Sequence, residues 1–523
     1  MGGLWCGLIW YSAVALTVRV GLRGLAVEPT VWRAWPWRAA VLTAASLIGV
    51  AVLEPVLRHL DIPRWAVAPI AFALAWVGVY AAVLSQGAAA GGATRWLRGA
   101  HVLDEASIDV PWWRAILARL IAPRSTSVAT APGLRIGGVA VPEADEPKHF
   151  KFIGTTGTGK STAIHAVLTQ ALARGDRAVI ADPDGGYLAR TYDPARGDRM
   201  LNPFDARSDV WQPFDEVVAA HDARELARAL VGSASGEAAA WHGYAETFLA
   251  AVLERLKAAP TATTAELYRV LSTAPLTELR ALLAGTSAAP LVESGNERMF
   301  GSVRSIAMSR LAALPAIMHQ QGATLSVRRW IREGTGVLYL PYQADQIATL
   351  RHLVSAWMRL AIFETMTLGE SDRRLWFIVD ELDALGAIDG LKDALARLRK
   401  FGGRCVLGFQ SIAQVSGTYG ESDARTIVEN CATTLILRCS ASDGGGTARF
   451  ASQLIGQREV ERLQESRSRG ERDGRERISL TRQIAVESAV LPAEIEALPD
   501  LHGYLKQASN PLWRRIRLEL PRS

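Results

Sequence analysis

The sequence predicts an α/β fold with a parallel sheet, an inserted all-α region and an N-terminal transmembrane helical hairpin. Apolar strand-like segments alternate with helical patterns, as in parallel α/β folds, and lie at 149–153, 177–181, 336–340, 375–379, 404–408 and 433–437. Between residues 216 and 328 the segments show helical apolar spacing instead, at 219–231, 240–258, 264–272, 275–284 and 296–316. Two apolar segments near the N-terminus, 39–57 and 65–85, have the length of membrane spans.

The segments 39–57 and 65–85 are joined by a short polar linker, so we interpret them as a transmembrane hairpin. Arginines precede and follow the hairpin, and the positive-inside rule therefore places both flanks in the cytoplasm. Residues 4–24 form either a first membrane span or an interfacial helix. The sequence does not decide between the two, because the apolar run reaches Arg19 before it has the length of a span. The alternative for the hairpin is a buried helical pair in a soluble domain.

The chain of 523 residues exceeds one ordinary domain, and we divide it where the pattern changes. The expected parts are a transmembrane anchor at 1–92, a nucleotide-binding domain in two pieces at 93–215 and 329–523, and an all-α domain at 216–328. The net charge of +6 suits nucleic acid or a lipid surface, although a solvated arginine-rich surface explains it equally. The four cysteines show no spacing of a zinc site or a disulfide framework.

The nucleotide-binding prediction rests on one loop between a strand-like and a helical segment. Gly154, Gly159, Lys160 and Ser161 satisfy G-x-x-x-x-G-K-[ST], the phosphate-binding P-loop. Glycines let backbone N–H groups surround the phosphates of ATP, and the following helix presents its positive end. Lys160 is expected to reach the β- and γ-phosphates and Ser161 to ligate Mg²⁺. The predicted binding residues are Gly154, Thr155, Thr156, Gly157, Thr158, Gly159, Lys160, Ser161 and Thr162; the alternative is a glycine-rich turn that fits the pattern by chance.

Hydrolysis also needs an acidic element, which the apolar strand at 375–379 supplies at its end. We expect Asp380 to join the Mg²⁺ shell and Glu381 to orient and deprotonate the attacking water. Gln410 follows the strand at 404–408, where it could sense the γ-phosphate. The alternative is a glutamine that bonds the backbone at the end of its strand.

Two basic segments carry further hypotheses. The helix predicted at 390–400 carries Arg397, Arg399 and Lys400. It presents a solvated face or, in a ring of subunits, one of its arginines reaches the γ-phosphate of a neighbour. The segment 466–477 is dense in Arg, Glu, Ser and Gly, so we expect a mobile surface loop. Contact with DNA or a neighbouring subunit is the alternative for that loop.

With these motifs in one order, the chain resembles the type IV coupling proteins of the TraD and TraG kind, membrane-anchored ATPases of conjugation and type IV secretion. The resemblance covers nearly all of residues 98–506. Besides the P-loop and the acidic pair it is carried by Arg98-Gly99-Ala100, Ile136-Gly137-Gly138-Val139, Asp182-Pro183-Asp184-Gly185, Tyr192-Asp193-Pro194, the segment 201–207, Arg399-Lys400-Phe401-Gly402-Gly403, Gly408-Phe409-Gln410-Ser411, Leu491-Pro492 and Gly503-Tyr504-Leu505-Lys506.

The resemblance implies a RecA-like nucleotide domain interrupted by an all-α domain, assembled as a homo-hexamer in the bacterial inner membrane with its body in the cytoplasm. ATP hydrolysis would drive single-stranded DNA, with its relaxase, toward a type IV secretion channel and its ATPases and inner-membrane components. By position, Gln410 matches the phosphate sensor and Arg399 the arginine finger. Asp184 stands where a lysine is common, and the external linker is shorter than in many relatives.

Two other functions remain open at this stage. The first is a receptor that recruits protein effectors to a type IV secretion system, with ATP governing assembly. The second is an FtsK-like translocase of double-stranded DNA. The all-α insertion argues against the second, because that class is expected to carry a duplex-reading module.

Overall fold

The structure, a computed structural model, describes residues 95–103, 133–219, 221–234, 236–260, 262–370, 373–442, 446–469 and 476–520. The predicted spans at 39–57 and 65–85, and the segment 4–24, lie outside these residues. Within the described ranges, no helix combines the length and the apolar character that a membrane crossing requires.

The chain divides into two compact units, one of residues 1–98 and 459–487 and one of residues 99–458 and 488–523. The described strands are β1 (Arg95–Gly99), β2 (Val102–Leu103), β3 (Arg135–Ile136), β4 (Val139–Ala140), β5 (Phe150–Ile153), β6 (Arg177–Pro183), β7 (Arg199–Met200), β8 (Val210–Trp211), β9 (Thr324–Leu325), β10 (Val337–Tyr342), β11 (Leu375–Val379), β12 (Gly403–Phe409), β13 (Thr433–Ile436), β14 (Gln457–Arg469), β15 (Glu476–Ser488), β16 (His502–Lys506) and β17 (Trp513–Arg517).

The described α-helices are α1 (Lys160–Ala173), α2 (Leu188–Thr191), α3 (Asp222–Val231), α4 (Ala238–Lys257), α5 (Thr264–Ser272), α6 (Leu276–Leu283), α7 (Glu297–Arg310), α8 (Leu314–His319), α9 (Val327–Glu333), α10 (Ile347–Thr367), α11 (Leu391–Leu398), α12 (Ile412–Tyr419), α13 (Glu421–Asn430), α14 (Gly446–Ile455) and α15 (Pro492–Glu496). Short 3-10 helices lie at Glu143–Lys148, Pro194–Arg196, Pro213–Glu216, Ala289–Val292 and Arg399–Phe401.

A ten-stranded sheet forms the centre of the larger unit, in the order β2-β17-β16-β13-β5-β12-β11-β6-β10-β7. All neighbours from β13 to β7 run parallel, and β16 pairs antiparallel with both β13 and β17. Strands β10 and β11 are buried along their whole length, as expected where helices cover both faces of a parallel sheet. The carboxyl ends of the parallel strands therefore meet at one edge, where open α/β sheets bind their ligands.

The structure confirms a strand at every predicted strand segment, with ends that shift by no more than two residues. The largest shifts are in β6 and β10, which continue beyond the predicted ends at 181 and 340. Both continue through a proline, Pro183 at the end of β6 and Pro341 inside β10.

Helices α3 to α8 occupy residues 222–319, between the short parallel pair of β8 and β9. The prediction of one helix at 296–316 was wrong, because α7 ends at Arg310 and α8 begins at Leu314. Pro315 explains the break: it has no N–H for the helical bond to Leu311, and its ring would clash with that carbonyl. The helix predicted at 390–400 is shorter for a similar local reason, since the chain turns through Gly402, which has φ of +77°.

The described part of the smaller unit is a three-stranded sheet in the order β1-β14-β15. The prediction of a mobile loop at 466–477 was wrong where these strands cover it, since β14 reaches Arg469 and β15 begins at Glu476. Residues 470–475 lie outside the described ranges. Ion pairs join β14 to β15, between Arg462 and Glu487 and between Arg482 and Glu461. Backbone pairing in this sheet and the two ion pairs between β14 and β15 thus accompany a strand conformation where the composition had indicated a loop.

Candidate functional site

The glycine-rich loop between β5 and α1 lies at the carboxyl edge of the central sheet. Gly157 and Gly159 have φ of +79° and +107°, a backbone region that favours glycine. A Cβ atom at Gly159 would lie 2.7 Å from Cδ2 of Leu501, so the close approach of the two segments also requires glycine there. Helix α1 begins at Lys160, directly after the loop, and points its positive end toward the space that the loop encloses.

Hydrogen bonds from two other segments hold this loop. The backbone carbonyl of Arg438 accepts from the N–H of Thr155 at 2.9 Å and from its Oγ1 at 3.2 Å. The Oγ1 of Thr158 donates to the carbonyl of Thr155 at 2.8 Å, and the N–H of Leu501 donates to the carbonyl of Thr158 at 2.9 Å. The loop is therefore fixed by its own side chains and by the C-terminal part of the sheet.

Asp380 follows β11 and lies buried beside the first turn of α1, with 3% of its surface exposed. Ser161 donates a hydrogen bond from Oγ to Oδ2 of Asp380 at 2.5 Å, and Nζ of Lys160 lies 3.9 Å from Oδ1. In the described part of the chain, that buried Oδ1 has no hydrogen-bond partner. A buried carboxylate oxygen without a partner, beside a hydroxyl, is a fitting ligand for Mg²⁺, which takes oxygen ligands and needs few from the protein itself.

Gln410 connects the glycine-rich loop to the second acidic residue. Oγ1 of Thr156 donates to Oε1 of Gln410 at 3.1 Å, and Nε2 of Gln410 donates to Oε1 of Glu381 at 3.0 Å. This bridge is possible because β12, which ends one residue before Gln410, pairs with β5 on one side and β11 on the other. The alternative of a glutamine that only bonds the backbone at its strand end therefore does not describe Gln410.

These side chains border a cleft of about 350 Å³. The residues that line it are Thr155, Thr156, Gly157, Gly159, Lys160, Ser161, Thr162, Glu381, Gln410, Asp500, Leu501 and Leu520. Two of the predicted binding residues, Gly154 and Thr158, do not line the cleft and instead pack on the interior side of the loop. Thr158 is fully buried, and a Cβ at Gly154 would lie 2.9 Å from Leu437 Cβ.

Tyr187 is a member of the site that the sequence analysis did not single out. Its hydroxyl donates to Oδ2 of Asp380 at 2.8 Å. Asp182 positions Tyr187, because its carboxylate accepts from the N–H of Tyr187 at 3.0 Å and of Leu188 at 2.7 Å. Burial raises the pKa of Asp182 to about 6 and raises the pKa of the Tyr187 hydroxyl well above its usual value, so that hydroxyl stays protonated. The motif at 182–186 directly precedes Tyr187, and it is the sequence feature that could have indicated this residue.

The C-terminal segment also contributes residues that no sequence motif indicated. Asp500 lines the cleft and forms an ion pair with Arg438 at 2.6 Å. Leu501 has φ of +65°, an uncommon region for a side-chain-bearing residue. The carbonyl of Leu501 accepts from the N–H of Leu518 at 2.7 Å, which closes the segment against β17. Pairing of β13 with β16 brings this segment to the glycine-rich loop from far along the chain.

The structure does not bring Arg399 into the cleft of its own chain. Arg399 is exposed in the 3-10 helix Arg399–Phe401, which precedes β12. It therefore lies at the amino ends of the strands, whereas the glycine-rich loop lies at their carboxyl ends. An action of Arg399 on a phosphate requires another subunit and stays a prediction.

Gly408 of β12 is expected to be essential for the position of Asp380. A Cβ at this residue would lie 2.3 Å from the carbonyl oxygen of Asp380, and both strands are packed in the core. We expect Gly408→Ala to lower the free energy of unfolding by about 1–3 kcal/mol, the usual cost of overpacking. Chemical denaturation measures this change.

Gly417→Ala is the matched control, because Gly417 lies within helix α12 and a Cβ there meets no atom within 4 Å. This variant should gain about 0.5–1 kcal/mol from helix propensity. Equal stability of Gly408→Ala and the unchanged protein would contradict the close packing of β11 against β12.

In this parallel α/β sheet, strand β5 leads into a glycine-rich loop, and Lys160 and Ser161 after the loop face the buried Asp380. This arrangement defines a P-loop nucleotide-binding protein. The family model of the type IV secretion-system coupling protein DNA-binding domain matches residues 133–519. The chain belongs to this family, and the predicted resemblance is confirmed.

Two curated relatives are similar to the chain over different lengths. Coupling protein TraD of Escherichia coli (strain K12) is 31% identical over 380 residues, which cover 71% of this chain and 52% of TraD. The coupling protein VirD4 of Bartonella quintana (strain Toulouse) is 32% identical over 146 residues, which cover 28% of this chain and 22% of VirD4. The matched region thus spans about half of TraD and less of VirD4.

Solved structures of the plasmid coupling protein TrwB share the fold. The unbound form of TrwBdeltaN70 matches with a TM-score of 0.70 at 30% identity, covering 82% of this chain and 94% of that chain. TrwB in complex with ADP and Mg²⁺ matches with a TM-score of 0.69 at 30% identity, covering 83% and 97%. A further complex contains the ATP analogue ADPNP. The match confirms a RecA-like α/β fold with an all-α domain.

Proposed function

We propose that the protein is a membrane-anchored ATPase that recruits single-stranded DNA with its relaxase to a type IV secretion channel and drives its transfer. The observation that carries this proposal is the arrangement around Asp380. Its Oδ1 accepts no hydrogen bond from the described residues and lies 3.9 Å from Nζ of Lys160, and its Oδ2 accepts from Ser161 at 2.5 Å. An ATPase needs this combination of a phosphate-binding loop and a carboxylate for the metal. The TrwB complexes with ADP and Mg²⁺ and with ADPNP support the choice of ATP and Mg²⁺.

In this proposal each residue of the site has a separate role in phosphoryl transfer. The loop N–H groups and Lys160 would hold the phosphates, while Ser161 and Asp380 would hold Mg²⁺, which would neutralise charge on the phosphate oxygens. Glu381 lines the cleft and is placed to orient a water and to accept its proton. Gln410 is hydrogen-bonded to both Thr156 and Glu381. Loss of the γ-phosphate would therefore shift Gln410 and, with it, the end of strand β12.

The partners follow from the family rather than from contacts in the structure. The family model is described as a DNA-binding domain, and TrwB is described as a conjugative coupling protein. On this basis we propose single-stranded DNA, a relaxase and the channel's ATPases and inner-membrane components as partners. A homo-hexamer is part of the proposal because the family resemblance implies one, and in such a ring Arg399, which lies away from the cleft of its own chain, could act on a neighbour. An inner-membrane hairpin at 39–57 and 65–85, with the body in the cytoplasm, completes it.

The test is an ATPase assay on the full-length protein in detergent, with and without a single-stranded oligodeoxythymidine. We expect hydrolysis that requires Mg²⁺ and rises when the oligonucleotide is present. We also expect DNA affinity to fall as salt rises, since phosphate contacts release counterions. Hydrolysis without any response to DNA would favour the receptor for protein effectors, and a response to duplex only would favour the double-stranded DNA translocase.

Tyr187→Phe should weaken the binding of Mg²⁺ without removing a ligand. The Tyr187 hydroxyl donates to Oδ2 of Asp380 and thereby orients the carboxylate. Loss of such a supporting hydrogen bond typically costs about 10-fold to 100-fold in metal affinity. We expect a rise of about 10-fold in the Mg²⁺ concentration at half-maximal hydrolysis, with little change at saturating Mg²⁺.

Tyr192→Phe is the control for this measurement, because Tyr192 is 45% exposed and packs against Tyr339. It should leave the Mg²⁺ dependence unchanged. If Tyr187→Phe also left it unchanged, the proposed support of Asp380 by Tyr187 would be refuted.

A further inference from the structure

The loop that connects β11 to α11, residues 381–390, packs closely against the rest of the larger unit. Three of its side chains, those of Leu382, Leu385 and Ile388, are no more than 2% exposed. The carbonyl of Leu385 accepts from Oγ of Ser355 on α10 at 2.6 Å. Because close-packed interiors transmit displacement and leave few voids, one part of the 381–390 loop can hardly move without the rest.

Helix α12 extends from the candidate site to the middle of this loop. It begins at Ile412, two residues after Gln410, and ends at Tyr419. The hydroxyl of Tyr419 accepts from the N–H of Ile388 at 3.2 Å and donates to the carbonyl of Gly386 at 3.5 Å. Burial raises the pKa of this hydroxyl, so it stays protonated and keeps the hydrogen that it donates.

The segment from Gln410 to Tyr419 is thus joined to the 381–390 loop at both of its ends. At the candidate site, Nε2 of Gln410 donates to Oε1 of Glu381 at 3.0 Å. At the far end, the Tyr419 hydroxyl bonds to the backbone of the loop. Two contacts, one at each end of α12, oppose rotation of the helix about either of them. A displacement of Gln410 would therefore carry α12 and the 381–390 loop together.

The last residues of the loop contact helix α3 of the all-α region. Oδ2 of Asp389 lies 2.7 Å from Nε of Arg228 on α3 and 3.2 Å from Nε of Arg359 on α10. Nη2 of Arg359 also lies 3.0 Å from Oε2 of Glu225, one turn before Arg228 on α3. The side chains of Arg359 and Asp389 are 4% and 7% exposed, and charges away from water interact more strongly than surface pairs. Helix α3 is therefore attached to the 381–390 loop by two arginines.

We propose that Tyr419 and Asp389 are positioning residues that transmit the loss of the γ-phosphate from Gln410 to helix α3. The proposal deepens the proposed function and rests on it, because Gln410 is the residue expected to respond to the γ-phosphate. The path runs from Gln410 along α12 to Tyr419, through the 381–390 loop to Asp389, and from there to Arg228. Since coupling between two sites is reciprocal, a displacement of α3 would also alter the affinity for the nucleotide.

The experiment measures hydrogen exchange by mass spectrometry in the peptide that covers α3, Asp222–Val231. The full-length protein in detergent is compared with saturating ADPNP and Mg²⁺ and with saturating ADP and Mg²⁺. In the unchanged protein, the exchange rate of α3 should differ by about 2-fold to 30-fold between the two nucleotides. Tyr419→Phe should abolish this difference, while both nucleotides still protect the glycine-rich loop.

Arg228→Gln tests the second half of the path. The Arg228 side chain is 50% exposed, so its ion pair contributes little to stability and the melting temperature should be retained. This variant should also lose most of the difference in α3, and Arg228→Lys should restore part of it, because a positive charge again lies beside Asp389. Arg224→Gln is the matched control, an exposed arginine one turn earlier on the same helix, and should keep the full difference.

The outcomes separate this proposal from the proposed function. A difference in α3 that is present in the unchanged protein and in Arg224→Gln, and absent in Tyr419→Phe and reduced in Arg228→Gln, supports the two positioning roles. If every folded variant keeps the difference, or if the unchanged protein binds both nucleotides and shows none, the path is refuted and the ATPase survives. If Tyr419→Phe loses its fold, Arg228→Gln and its control decide the question. Failure of the unchanged protein to bind ADPNP would refute both proposals.

Discussion

Lys160→Ala is expected to abolish hydrolysis of ATP and to reduce ATP binding below detection. Lys160 is 6% exposed, and its ammonium lies 3.9 Å from Oδ1 of Asp380, inside the cleft that the glycine-rich loop borders. Without it, no cation of the loop meets the β- and γ-phosphates, and the Asp380 carboxylate loses its nearest positive charge. ATPase rates and the binding of a fluorescent ATP analogue measure the two effects.

Lys148→Ala is the matched control for this variant. Lys148 precedes the same strand, β5, at its opposite end and pairs with Asp145 at 2.7 Å. Its removal should change neither binding nor hydrolysis, and the melting temperatures of both variants check that the fold is retained. Measurable turnover by a folded Lys160→Ala protein, or DNA transfer in cells that carry only this variant, would contradict the proposal that ATP hydrolysis drives the transfer.

Arg399→Ala is expected to lower the hydrolysis rate by about 10³-fold to 10⁵-fold while ATP binding is retained. The reason is geometric: Arg399 is exposed at the amino ends of the strands, so it can contact only the phosphates of another subunit. A guanidinium that enters a neighbouring site stabilises charge in the transition state and contributes little to ground-state binding. ATPase rates together with nucleotide affinity distinguish this result from a loss of binding.

Mixed assemblies give a sharper test of the same residue. Subunits with Lys160→Ala supply an intact Arg399, and subunits with Arg399→Ala supply an intact loop. Co-assembly of two inactive variants should therefore restore part of the activity if the arginine acts between subunits. Arg397→Ala, an exposed arginine on the same helical segment, is the control and should be fully active. Unchanged turnover of Arg399→Ala would rule out the arginine finger.

The strands and the two loops of the candidate site were predictable because their signals are local. Strand β11 is a fully buried apolar segment that ends in Asp380 and Glu381, and the glycine-rich loop has a fixed spacing between β5 and α1. Local rules also explain the errors, since Pro315 divides a helix that apolar spacing alone had joined. In β14 and β15, by contrast, backbone pairing outweighs a composition that favours a loop.

The sequence by itself predicted the chemistry of the site: a loop to bind phosphates, Ser161 and Asp380 to hold the metal, and Glu381 to orient the water. Only the tertiary structure decided which distant residues complete it, namely Tyr187 beside Asp380 and Leu501 against Gly159. The same is true of Gln410 as a bridge between Thr156 and Glu381. The spacing of a motif indicates only which residues a few positions apart lie close together. Strand order and helix packing bring together residues from remote parts of the chain, and no local pattern indicates those contacts.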